Sequence, residues 1–557
     1  MWNNAFYSDL LELCRQKALD IRAKYAELYR IFLEILKEKT RDCSFDFSGP
    51  FARMDYLCKE LGYEEADYKR INALRARCRS LHDANEAVLE KTFLQDMKAL
   101  SEFVSRLYQE EIPEELAACL PDTYRYAVKS ASPLGTYLRV LVDSWDDEYI
   151  YGKTEAEETE FIQIRYRQTN YFGDWSYLQD LLVKGAQLNL IHPYRVQDDI
   201  YLAELMIFEP DYLIDVSAIA NCFEAYGCTP LTYLLNKIKP AANSRAILLG
   251  NFASQLLDEV VNEKNPDTPV PYADSVKRFF RENALKLVTC PDMDPSFHTD
   301  ARKQHEILED MIHEQFNQVC DLHLDRIILE PSFFCEMLGL QGRMDLLQED
   351  MRVLMEQKSG KREYGTSRHV EKHYVQMLLY LALLHYNYNL RNGEISSFLL
   401  YSKYEDGLMK EGPAPELLFQ AIEVRNRMVK QDLLCSEGGA ATLFDGLTPE
   451  DLNVRQIDNP LWKRYQQPQL AGLLEPIQQA SDLERAYFYR FFTFIEKEHI
   501  LSKVGTAEKE GSGFATVWNN SLEEKKQTGD IFCDLEILSL ENSHEAAEGI
   551  DRITLRI

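Results

Sequence analysis

Apolar residues in the first 118 positions recur at helical spacing. The runs L-L-E-L-C-R-Q-K-A-L-D-I from Leu10 and E-L-Y-R-I-F-L-E-I-L-K from Glu27 place them three and four apart. This predicts a helical region over 1–120, broken at Ser48-Gly49-Pro50. From about residue 122 the period shortens. Y-L-R-V-L-V-D, E-Y-I-Y-G, F-I-Q-I-R-Y-R, A-Q-L-N-L-I and I-Y-L-A-E-L-M-I-F read as strands between polar turns. Five or so such strands predict a small β-barrel over 121–205. Residues 206–330 read mainly as helix, and strands alternate with helices from about Arg326 to Leu434, so 206–435 is expected to be one mixed α/β domain. Helical spacing returns over 436–505. Residues 506–557 read as β-rich and end within an apparent strand, I-T-L-R-I, which predicts the start of a further domain.

The stretch Leu340–Lys361, L-Q-G-R-M-D-L-L-Q-E-D-M-R-V-L-M-E-Q-K-S-G-K, carries the candidate chemistry. Asp345 follows a glycine turn, and Glu356 and Lys358 stand two apart. Alternation along a strand points positions i and i+2 the same way, so these two share a face. With Asp345 at the end of a neighbouring strand, two carboxylates and an ammonium converge. Such a trio suits a hard divalent cation, Mg2+ or Mn2+, and an attacking water. The trio alone also occurs by chance as solvated surface in acidic chains. Here Met344, Leu346 and Leu347, and Val353, Leu354 and Met355, place the acids on buried strands, where a charge needs a partner. Downstream, V-E-K-H-Y-V-Q-M-L-L-Y-L-A-L from Val370 predicts a helix with Gln376 and Tyr380 one turn apart, and His373 on the same face.

This ordered set resembles the restriction-type nuclease core, and the Q-x-x-x-Y helix after E-x-K resembles RecB-type nucleases. F-E-P-D-Y-L-I-D-V-S from Phe208, I-L-L-G-N-F-A-S from Ile247, M-E-Q-K-S-G-K from Met355 and F-L-L-Y-S-K from Phe398 occur in the order seen in helicase–nucleases of the Dna-two type. The resemblance covers roughly 200–435. It implies a restriction-endonuclease-like core of mixed α/β (α+β) class, with Asp345, Glu356 and Lys358 catalytic and Asp345 and Glu356 ligating metal. It implies that Gln376, Tyr380 and His373, with Lys361 and Arg362, contact DNA. Single-stranded or flap DNA is the implied substrate, and a helicase domain is expected to follow in the full-length protein.

Two departures matter. The family's ligating histidine falls at Ser254, whose hydroxyl is a poor substitute; Asp258, one turn on, could point to the same place directly or through water. Equally, Asp345, Glu356, the Gln357 carbonyl and waters could suffice. Many relatives carry an iron–sulfur cluster on four thiolates. Here Cys222 and Cys228 flank the upstream position, only Cys435 and Cys533 follow the Q-x-x-x-Y helix, and no C-x-x-C occurs. No iron–sulfur cluster and no structural zinc are therefore expected.

Twelve scattered cysteines, no signal-peptide pattern and no apolar stretch of spanning length predict a cytoplasmic protein away from membranes. A formal charge of -29 argues against a surface given over to nucleic acid. Residues 358–372 are the exception: Lys358, Lys361, Arg362, Arg368 and Lys372 stand against Glu363 and Glu371. An exposed charged loop reads almost equally well. Tyr166, Tyr171, Phe172, Trp175 and Tyr177 could stack bases or form core, and the acidic run at 155–160 speaks against a DNA face. No G-x-x-x-x-G-K-[ST] is present, so no ATP site is visible. An active nuclease and a non-cutting scaffold of the same fold both remain open, Ser254 being the signature of the second.

Overall fold

A computed structural model describes residues 5–16, 18–43, 50–79, 81, 86–124, 136–155, 161–167, 174–197, 200–241, 243–262, 270–320, 322–363, 368–505, 513–522, 525–526, 529, 531–541 and 552–556. The chain divides into two compact units, one of residues 1–212 with 494–535 and one of 213–493 with 536–556. Among the described residues no helix is long and apolar enough to cross a membrane.

The first unit opens with helices Ala5–Arg15, Ile21–Thr40, Pro50–Glu60, Glu65–Arg79 and Glu86–Tyr108. The expected break at Ser48-Gly49 lies outside the described residues; Pro50 begins the next helix, where its missing N–H costs nothing. Tyr25, Leu28, Phe32, Met97 and Phe103 form the centre of this bundle's core. A seven-stranded sheet follows, in the order Tyr194–Gln197, Ile200–Leu202, Phe161–Arg165, Tyr149–Thr154, Tyr137–Trp145, Gln187–Ile191, Leu205–Phe208. This corrects the expected barrel. The two outer strands do not pair, and the Tyr194–Gln197 edge shifts register between Arg195 and Gln197 against Ile200–Leu202. A bulge of that kind bends an edge away from closure. Tyr166, Trp175 and Tyr177 are buried in this unit's core, whereas Tyr171, Phe172 and 156–160 of the acidic run lie outside the described residues.

The second unit is built on a five-stranded sheet in chain order: β1 (Ile327–Leu329), β2 (Leu346–Gln348), β3 (Val353–Lys358), β4 (Ser396–Tyr401) and β5 (Leu408–Glu411). β1, β2 and β3 run antiparallel in turn, β3 and β4 are parallel, and β5 returns antiparallel. The parallel step needs a crossover, and the helix Glu371–Tyr388 supplies it. We label the helices of this core α1 (Arg245–Val261), α2 (Glu371–Tyr388) and α3 (Pro415–Ser436). Val353 and Met355 of β3 pack with Phe398, Leu400 and the apolar stripe Leu248, Phe252, Leu256 of α1. Alternation then leaves Leu354, Glu356 and Lys358 for the opposite face, towards α2. A small sheet of Ile214–Asp215, Leu340–Arg343 and Ser332–Cys335 lies beside the larger one. Asp345 sits in the bend where the chain leaves Leu340–Arg343 and enters β2.

Candidate functional site

β2 and β3 pair Leu346 with Met355, so Asp345 comes one antiparallel step further on, opposite Glu356. Its Oδ2 accepts the Gln357 backbone N–H at 2.6 Å. The Gln357 side chain points to the other face and donates to the Ala253 carbonyl of α1 at 3.2 Å. On the α2 face Lys358 Nζ donates to Glu356 Oε1 at 2.7 Å and to Gln376 Oε1 at 2.9 Å. Gln376 Nε2 in turn donates to the same Glu356 oxygen at 2.7 Å and to Tyr380 OH at 3.3 Å, and Tyr380 OH donates to the Arg343 carbonyl at 2.6 Å. Five of the expected residues, Asp345, Glu356, Lys358, Gln376 and Tyr380, are thus brought together.

The electrostatics follow from burial. Glu356 is 2 % exposed, and loss of hydration, then Asp345, pushes its carboxyl up to about 8 against the pull of Lys358. Burial likewise raises Asp345, opposed by Lys358 and the Gln357 N–H. Asp258 reaches about 7 through burial and then the charges of Glu330, Asp345 and Glu259. Glu356 Oε2 is buried without a hydrogen-bond partner. Acids raised by burial and then by one another, with a bare carboxylate oxygen among them, form an arrangement that a cation would relieve.

Ser254 takes no part: its hydroxyl turns back to the Gly250 carbonyl of its own helix at 3.3 Å. A Cβ on Gly250 would stand 3.1 Å from Ser359 Oγ, so this glycine lets α1 approach the turn after β3. Gly342 is in a strand, paired with Phe333, and corrects the expected glycine turn before Asp345. Its bare Cα makes room for the Tyr380 ring, which an added Cβ would meet at 2.7 Å.

Other expected contacts are differently engaged. His373 Nδ1 hydrogen-bonds Tyr401 OH at 2.9 Å, and burial, then Lys358, lowers its pKa to about 3, so the ring is neutral. Arg362 is buried rather than presented to a ligand, because its guanidinium pairs with Asp406 at 2.9 Å and lies over the Tyr404 ring. Lys361 is exposed. Lys372 pairs with Glu224 at 3.1 Å. Three of the five cations of 358–372 are therefore held by acids. Asp211 of the F-E-P-D run is buried in the first unit with Arg139 and the Trp518 indole N–H. Cys222 packs on Met428, and Cys228, half-buried, has its thiol pushed up to about 12 by loss of hydration.

Glu330 is the residue that spacing did not single out. It holds a left-handed backbone (φ 48°), donates its N–H to the Asp345 carbonyl at 3.1 Å and pairs with Arg343 at 2.9 Å. A non-glycine residue in that conformation is uncommon and marks a backbone fixed by its surroundings. Its charge bears on both Asp258 and Asp345.

Residues 222–479 match the PD-(D/E)XK nuclease superfamily, and this segment contains the whole acid, lysine, glutamine and tyrosine network. No curated protein matches the chain. The segment is a domain of that superfamily, with its fold.

Proposed function

We propose that this nuclease domain is an active, divalent-metal-dependent deoxyribonuclease that cuts single-stranded or flap DNA. It would work without an iron–sulfur cluster, as the nuclease part of a cytoplasmic helicase–nuclease in replication or repair. The carrying observation is the closed Glu356–Lys358–Gln376 triangle, whose Glu356 keeps one oxygen bare. The donors are the hard oxygens that Mg2+ or Mn2+ takes: Asp345 and Glu356 would hold the ion, and Asp258, whose charge and that of Glu330 bear on the same acids, would join through water. When bound, such an ion polarises the phosphodiester and acidifies its water.

The chain's own residues do the rest. Lys358, fixed by Glu356 and Gln376, orients the attacking water and offsets charge gathering on the phosphoryl oxygens. Gln376 keeps the lysine in place, and Tyr380 ties Gln376 to the strand leading into Asp345. Water oxygen bonds to phosphorus as a P–O ester bond breaks, leaving a phosphate and a hydroxyl end. The ordered motifs shared with helicase–nucleases support a single-stranded substrate. So does the pairing of Lys358, Arg362 and Lys372 with acids, which takes three of the five cations of 358–372 from a duplex footprint.

Cutting of labelled single strands with Mn2+ tests this reading. Asp345→Ala or Lys358→Ala should lower the rate by about a thousandfold or more while the chain, by circular dichroism, stays folded and still binds the strand. Wild-type rates in either variant would overturn the assignment. A wild-type protein that binds but never cuts would favour the non-cutting scaffold.

A further inference from the structure

We propose that the cavity beside the first turn of α2 is a phosphate subsite, holding a backbone phosphate of the strand near the bond that is cut. This deepens the nuclease reading and rests on it for the identity of the strand. The cavity, of about 420 Å³, is lined by Lys237, Lys239, Lys372, Ser217, Asn221 and Glu224 among others. Lys237 and Lys239 come from the end of the helix Leu231–Ile238 and its cap, and Lys372 from α2.

Three ammonium groups face one lining carboxylate, and Asp432 beneath Lys237 brings the local balance to +1 in a chain of charge -29. Lys372 is steadied by Glu224, and Lys237 lies over the Tyr233 ring. These ammonium groups are held in place, while Lys239 stands exposed beside them. A cation is repelled here, an apolar ligand meets polar walls, and a phosphate finds ready donors.

Position connects the cavity to the catalytic network. Lys372, Gln376 and Tyr380 lie at i, i+4 and i+8, one face of α2, with Lys372 about 6 Å along the axis from Gln376. Val216, which starts the short helix that bears Ser217 and is capped by Asn221, closes on Gly342 beside the Tyr380 ring. A strand whose phosphodiester reaches Glu356 and Lys358 can therefore seat a neighbouring phosphate among the lysines.

The test measures binding without cutting, on the full chain in EDTA. Anisotropy of a fluorescein-labelled single strand is followed across a salt series. Lys239→Glu should weaken binding about tenfold at low salt and lower the slope of log affinity against log salt by about one. Lys239→Arg should restore both. Strands ending in a 5′-phosphate or a 5′-hydroxyl separate the source. Equal loss for both supports an internal phosphate, and loss confined to the phosphorylated strand overturns that in favour of the terminus. Wild-type affinity and slope in a Lys239→Glu/Lys372→Gln double variant would overturn the subsite altogether. Because nothing is cut, this outcome is independent of whether Asp345→Ala abolishes cleavage.

Discussion

Glu356 is the residue where folding and chemistry pull apart. Ionised, it suits a metal; buried, it is driven towards the neutral form, up to about 8 from an ordinary 4.5. Asp258 is raised from 3.8 to about 7 for the same first reason. Between those values the native state binds more protons than the unfolded chain. The contribution of these groups to stability is therefore greatest at acid pH and declines as pH rises from about 4 to about 8. Melting of the metal-free protein should show that decline, and saturating Mn2+ should offset it. Glu356→Gln should raise metal-free stability at about pH 8.5 by about 2 kcal/mol and abolish both the Mn2+ effect and cutting. A melt flat with pH, or one that Mn2+ leaves unmoved, would refute this account. At limiting Mn2+, cutting should rise with pH through about 7 to 8, since binding requires the ionised acids. Gly342 is a second such point: Gly342→Val should displace the Tyr380 ring, lower stability by about 1–3 kcal/mol and reduce cutting, read by melting and rate together.

At the scale of elements, β3 and α2 make the site by two periodicities meeting. The two-residue period of β3 sends Met355 to the α1 core and Glu356 and Lys358 towards α2. The 3.6-residue period of α2 decides which partner each of its residues meets. Gln376 and Tyr380, one turn apart, follow one line. His373, three before Gln376, is rotated about 60° around the axis, enough to face Tyr401 on β4 instead of the acids. The Q-x-x-x-Y spacing was thus legible, but the division between adjacent strands was not. Gln376→Ala should cut kcat by about 10- to 100-fold with little change in strand affinity, because it positions Lys358. His373→Ala should act chiefly on stability. Equal kcat effects from the two would undo this division of roles.

Over the whole molecule, charge bears on the proposed choice of a single strand over a duplex. With a formal charge of -29, and with Lys358, Arg362 and Lys372 of the segment beside the acids paired, a broad duplex footprint there is disfavoured. Binding should be tolerant of sequence and weaken steeply with salt. Matched flap, single-strand and blunt duplex substrates with Mn2+ and no ATP should be cut in that favour, the duplex about tenfold or more slower. Equal duplex cutting or a strict sequence requirement would contradict the reading.

The sequence by itself determined what depends on neighbours along the chain. Helical spacing marked the N-terminal helices and α2, alternation put Glu356 and Lys358 on one face, and the ordered motifs pointed to the restriction-endonuclease-like fold that the PD-(D/E)XK match over 222–479 bears out. Tertiary structure alone decided what depends on distant pieces meeting. It set Asp345 opposite Glu356 through strand pairing, and it brought Glu330, fifteen residues earlier, to the acids through a left-handed turn. It made Gly342 the seat of the Tyr380 ring and buried Arg362 on Asp406. It also kept the N-terminal sheet open, because a local strand pattern does not say whether the two edges of a seven-stranded sheet will meet.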